Sequence, residues 1–197
     1  MDTELMVIPE RAGYGFWLLW VMATLLGFAV SLLLVEIGEQ PQAGPLQGLL
    51  GGLCVGAAQA LVLRDRLYGA RRWLWACGLA WSLMGFASIG AVGWYVPRSD
   101  GGALLTRCTF GLLFGASGGV LLGVMQWVVL RRQVTLARLW LVLSPLVWAI
   151  SLALGWVAGG VLRSQTGLFL GEALGLGLTW LLVAILTGWA LAGMLDG

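Results

Sequence analysis

Four of the polar side chains inside the long apolar runs are candidate site residues, and their types limit the chemistry open to them. Gln59 and Gln126 are amides, able to donate and accept hydrogen bonds but unable to ionise. A bare amide at membrane depth costs free energy unless it finds a partner. Two readings therefore stand: interhelical hydrogen bonding, or a polar ring that binds a solute at the inner mouth. Thr179 adds a hydroxyl in the last apolar run. Glu172 is ionisable, and an ionisable residue within a membrane is a candidate for proton coupling or for a structural ion pair. Arg107 and Arg163 belong to the same side and are the groups available to neutralise it.

Other chemistry is missing. The chain has no His, and all eleven basic residues are Arg. The commonest metal ligand and proton shuttle is thus absent, and without Lys there is no Schiff base. Cys54, Cys77 and Cys108 lie in or near apolar runs with no Cys-x-x-Cys pair, so they read as small packing residues. No His-Glu-x-x-His, Gly-x-Ser-x-Gly or Walker-type sequence occurs. The expectation is no catalytic residue, no metal, no cofactor and no nucleic-acid partner.

Hydrophobic residues make up 60% of the 197-residue chain and charged residues 10%, against roughly 25% charged in a soluble domain. The fitting solvent is lipid. A helix needs about 20 apolar residues to cross a bilayer, and six stretches qualify: roughly 16–37, 44–63, 73–96, 104–130, 139–162 and 167–195. The expected fold is an all-α membrane protein with six transmembrane helices in a single domain, 1–197. The first run is too long and lacks the cleavage site of a signal peptide, so it reads as a retained helix. Pro145 should kink the fifth helix or free a carbonyl.

Positive charge marks the cytoplasmic side. Arg11, Arg64, Arg66, Arg71, Arg72, Arg131, Arg132 and Arg138 fall on one side of a six-helix path, and Arg98, Arg107 and Arg163 on the other. Both termini are then cytoplasmic, in a bacterial inner or internal membrane. Arg64, Arg71, Arg131 and Arg138 read as headgroup or interface residues. Trp94 and Tyr95 beside Pro97 read as an outer interfacial anchor, with Tyr14, Phe16 and Trp17 as an inner one, and Glu36 and Glu39 as solvated carboxylates.

A shift of 67 residues lays 44–81 on 111–148 without a gap. Gly44, Gly48, Gly52 and Gly56 fall on Gly111, Gly115, Gly119 and Gly123. Gln59 falls on Gln126, Val62-Leu63-Arg64 on Val129-Leu130-Arg131, Arg71 on Arg138, Trp73 on Trp140 and Trp81 on Trp148. The copies, 44–96 and 111–162, are hairpins of equal orientation, a parallel repeat about an axis along the membrane normal. A degraded third copy is split between 167–195, with Gly167, Gly171, Gly175 and Thr179, and 13–37, with Trp20 and Phe28. Hairpins 2–3, 4–5 and 6–1 would then close around a pseudo-threefold axis. Glycines every four residues form a stripe that lets helix backbones approach closely; the competing reading is a path lined by backbone.

The pattern Gly119-x-x-x-Gly123-x-x-Gln126-Trp127-x-x-Leu130-Arg131-Arg132, followed by Ala137-Arg138-x-Trp140, resembles a repeat in uncharacterised bacterial integral membrane proteins. The first copy departs from it at Ala60 and Asp65. That resemblance implies no activity. Length and helix number are also similar to the substrate-binding subunits of vitamin-uptake transporters. The leading expectation is a non-enzymatic structural or accessory subunit of a larger membrane assembly, in contact with lipids and other subunits. The alternative is a small-solute transporter or channel subunit. A hydrated cavity reaching Gln59 and Gln126 would favour the alternative, and a dry centre the first.

Overall fold

The computed structural model describes residues 13–39, 43–87, 90–97 and 104–196. It is all-helical: α1 (Tyr14–Ser31), α2 (Pro45–Leu63), α3 (Arg71–Phe86), α4 (Leu104–Leu130), α5 (Trp140–Thr166) and α6 (Leu170–Leu195). Two short 3₁₀ turns, Val92–Trp94 and Ala137–Leu139, complete the elements. Among the described residues the only β pairing is an isolated bridge between Gly38 and Tyr95. Each helix packs against its neighbours in sequence, and α6 returns to pack against α1.

The distribution of side chains is that of a protein dissolved in lipid. Leu26, Leu113, Leu146 and Leu174 are exposed, while Thr24, Ser31, Gln59, Arg107, Gln126, Ser144, Glu172, Thr179 and Thr187 are buried. Helices apolar all round suit a membrane, because lipid asks for no polar face. Five helices are long and apolar enough to cross a bilayer, so the expectation of six is met only in part. The exception is α3: its 16 residues reach about 24 Å at 1.5 Å per residue.

The reason lies at its C-terminal end. The apolar run that reads as helix to residue 96 stops being helical at Phe86. A Cβ on Gly85 would lie 2.5 Å from the carbonyl carbon of Gly44. Gly90 then takes φ +64°, a left-handed turn, and residues 91–96 fold back into the bundle. Their backbone groups are paired: Ala91 N–H to Ala43 O (3.1 Å), Gly38 N–H to Trp94 O (3.3 Å) and Val96 N–H to Gly38 O (3.0 Å). Non-helical backbone is tolerable at this depth only when protein satisfies it. Helix α1 likewise ends at Ser31 rather than 37, because its continuation turns to meet this segment. Trp94 is therefore no interfacial anchor: it is 1% exposed, and its Nε1 donates to Ser31 Oγ at 2.8 Å. Phe16 is also buried rather than interfacial. Helix α5 runs unbroken through Pro145.

Candidate functional site

The two glutamines occupy matching positions. Trp73 Nε1 donates to Gln59 Oε1 at 2.9 Å, and Trp140 Nε1 donates to Gln126 Oε1 at 2.9 Å. Each amide nitrogen then reaches across to the preceding odd helix. Gln59 Nε2 donates to Thr24 Oγ1 on α1 (3.0 Å), and Gln126 Nε2 to Cys77 Sγ on α3 (3.3 Å). Thr24 stands four residues after Trp20, Cys77 four after Trp73 and Ser144 four after Trp140. On α6 the place opposite Trp20 is taken by Thr187, whose hydroxyl accepts from Trp20 Nε1 at 3.0 Å and donates to Val183 O at 2.6 Å. Ser144 turns back to Gly119 O at 2.9 Å.

Thr187 is shorter than Gln, and a cavity of about 20 Å³ opens beside it, lined by Gln59, Cys77, Gln126, Ser144 and Thr187. Holding one water takes about 10–15 Å³ of such volume, so a solute larger than water does not fit. Indole rings close both sides. Toward the basic loops, Trp73 packs edge-on to Trp20 and Trp140, with centroids 5.8 and 6.1 Å apart. Toward the other side, Trp81 packs on Trp94, Trp148 and Trp180 at 4.9–5.9 Å, and Phe28 stacks on Trp180 at 4.9 Å. The returning segment covers this second layer. Trp180 Nε1 holds Gly93 O at 2.8 Å, and Trp156 Nε1 holds Tyr95 O at 3.2 Å.

Glu172, in the first turn of α6, is 1% exposed, and Arg107 in α4 is 7% exposed. They pair in two parallel bonds: Arg107 Nη1 to Glu172 Oε2 at 2.9 Å, and Nη2 to Oε1 at 2.7 Å. Nη1 also donates to Trp156 O at 3.2 Å. The fork crosses α5 where that helix has no side chains. A Cβ on Gly159 would lie 3.0 Å from Glu172 Oε2, and one on Gly160 2.8 Å from Arg107 Cδ. Both ions are buried, the pairing is bidentate, and two glycines leave the room for it. Arg163 does not reach Glu172; it pairs with Glu39, which is half-buried rather than freely solvated.

The glycines divide into two sets. A Cβ on Gly52 would come 2.8 Å from Cys77 O, and one on Gly119 2.7 Å from Ser144 O, matching atoms under the 67-residue shift. Gly48 and Gly115 likewise abut the carbonyls of Trp81 and Trp148, and Gly56 and Gly123 abut α3 and α5. Gly111 meets Ala153, and Gly44 caps α2 against Gly85. On α6 the arrangement differs. Gly171 and Gly175 face α5, the preceding helix, where Cβ atoms would meet Arg163 N at 2.5 Å and Gly159 Cα at 2.6 Å. Thr179 is buried and donates to Gly175 O at 3.3 Å. Gly167 lies outside α6, in the turn, at φ +71° with nothing near it. The α6 ladder is thus not the counterpart of the other two; the small residue facing α1 is Gly188, against Trp20.

Arg64, Arg71, Arg131 and Arg138 are exposed. Arg64 lies 3.5 Å from Asp65, and Arg131 sits over the Trp127 ring at 5.2 Å. Sequence reasoning missed Thr24, Ser144 and Thr187 and read Cys77 only as a packing residue, although the recurring Trp-x-x-x-Thr/Cys/Ser of α1, α3 and α5 was a usable signal. Among the described residues no group of His, Cys, Asp or Glu is placed to hold a metal. No protein-family model matches the chain, no curated protein is similar to it, and no solved structure matches its fold.

Proposed function

We propose that this chain is a non-enzymatic, non-conducting packing subunit of a larger membrane assembly. In this reading hairpins α2–α3, α4–α5 and α6–α1 close a pseudo-threefold ring, with both termini on the basic, cytoplasmic side and α3 completed across the bilayer by segment 90–97. The observation that carries the proposal is the filled centre. The residues best placed to line a path, Gln59 and Gln126, are tied to Trp73, Trp140, Thr24 and Cys77, and the cavity between the indole layers is about 20 Å³.

Two sets of three support the ring. Leu63, Leu130 and Leu191 are each 0% exposed and stand four residues after Gln59, Gln126 and Thr187. Val55, Leu122 and Val183, four before, all line the central cavity. Likeness to the hairpin repeat of uncharacterised bacterial membrane proteins belongs to the same proposal.

Reconstitution tests it. Proteoliposomes should shrink in response to small neutral and charged osmolytes at the rate of protein-free vesicles, and native mass measurement in mild detergent from source membranes should find the 21.0 kDa chain in a larger complex. Solute-specific flux that disappears in Gln126→Ala would establish the transporter instead.

A further inference from the structure

The bundle is not equally closed all round. Between α3 and α4, at their basic ends, a surface groove of about 500 Å³ opens. Its floor is apolar, from Trp75, Leu79 and Val128, which are 55%, 49% and 47% exposed. Its rim carries Arg72, Arg131 and Arg132. Among the described residues, no carboxylate lies within ion-pair distance of these three. Arg72 sits in the first turn of α3, where the helix dipole disfavours a cation and favours an anion. The lip is braced: Gln133 accepts from Tyr68 N–H at 2.5 Å and donates to Tyr68 O at 3.1 Å, joining the two basic loops.

Pseudo-symmetry supplies an internal control, and this comparison rests on the ring proposed above. The places matching Arg72, Arg131 and Arg132 are Leu139, Ala192 and Gly193 between α5 and α6. Between α1 and α2 they are Leu19, Arg64 and Asp65, the last two already adjacent at 3.5 Å. The other interfaces pack without a cluster of three cations, so packing does not require one here.

We propose that the α3–α4 groove is a binding site for one anionic phospholipid, its phosphate among Arg72, Arg131 and Arg132 and its acyl chain along Trp75, Leu79 and Val128. Net charge selects the headgroup: guanidinium groups match phosphate oxygens, and an anionic lipid brings no choline cation to oppose the three arginines. The apolar floor running from the interface into the membrane selects a lipid over a free anion or an acidic protein segment.

The test is native mass spectrometry of the full chain, delipidated in a non-ionic detergent and titrated with phosphatidylglycerol or phosphatidylcholine of equal chains. Phosphatidylglycerol should give a single retained adduct and phosphatidylcholine none. Combining Arg72→Gln, Arg131→Gln and Arg132→Gln should weaken that adduct about a hundredfold, from the attraction each interfacial Arg exerts on anionic lipid. Combining Arg64→Gln, Arg71→Gln and Arg138→Gln removes the same charge elsewhere and should leave the adduct unchanged. All six side chains are exposed, so both variants should keep the parent's melting temperature. Equal weakening in the two triple variants would reduce the effect to diffuse attraction and overturn the site. So would equal adducts with both lipids, or displacement of the lipid by equimolar inorganic phosphate.

Discussion

Among the described residues, two buried polar centres are built on opposite principles. The central one is neutral and repeated: Gln59 and Gln126 each take an indole N–H from their own hairpin and give an N–H to the preceding one. The outer one is charged and occurs once, as Arg107 and Glu172 joined across the glycine gap of α5. A neutral network in lipid degrades gracefully, since each amide bond contributes about 0.6–2 kcal/mol and a lost partner is partly replaced. A buried ion pair does not. Removing one partner strands the other charge, yet replacing both by apolar groups is often tolerated. The neutral centre therefore ties α1 to α2 and α3 to α4, whereas the ion pair pins α4 to α6 at one point.

The sharpest way to separate the two centres is to strand a charge. Glu172→Leu should destabilise the bundle by about 3–5 kcal/mol, read as denaturant-induced unfolding in mixed micelles. Glu172→Leu combined with Arg107→Met should recover most of that loss. If the double variant is no better than the single, the pair is not the isolated contact described here.

Next in size are the close approaches beneath the neutral network. Gly52→Leu and Gly119→Leu force a side chain into the backbones of α3 and α5, and overpacking of this kind costs about 1–3 kcal/mol or more. Monodisperse extraction at the parent's yield for both variants would show that these faces are not in contact. Smaller still, Gln59→Leu and Gln126→Leu should each cost about 0.6–2 kcal/mol and leave Trp73 and Trp140 with unbonded indole N–H groups, visible as shifted ultraviolet resonance Raman bands. The least change is expected from Thr187→Gln, which places a third amide beside the central cavity. It should leave stability equal or slightly raised, whereas loss comparable to Gln126→Leu would mean that Thr187 is not the third position.

The comparison also shows what the sequence carried. Period and charge made the helices and the availability of Arg107 to Glu172 legible, because lipid punishes any unpaired polar group. The returning segment was not legible. Residues 86–96 form an apolar run, and such a run does not distinguish a helix from buried backbone paired to Gly38 and Ala43. Gly90 and Gly93 were its faint signals. The faces of α6 were also not legible. The α6 glycine ladder serves α5, while Thr187 and Gly188 meet α1, and a hydroxyl substituting for an amide leaves no identity to align.

The central claim is that α6 and α1 form the third hairpin of a closed ring. A circular permutant tests it most directly, joining Gly197 to Met1 through a short linker and opening the chain in the 97–103 connector. Trp17 Nε1 already meets Ile185 O at 3.1 Å, and Trp20 meets Thr187, so the new connection follows an existing contact. The ring predicts a folded, monodisperse permutant with the parent's unfolding midpoint. Aggregation of the permutant, while the parent chain carrying the same linker at its C-terminus stays folded, would contradict it.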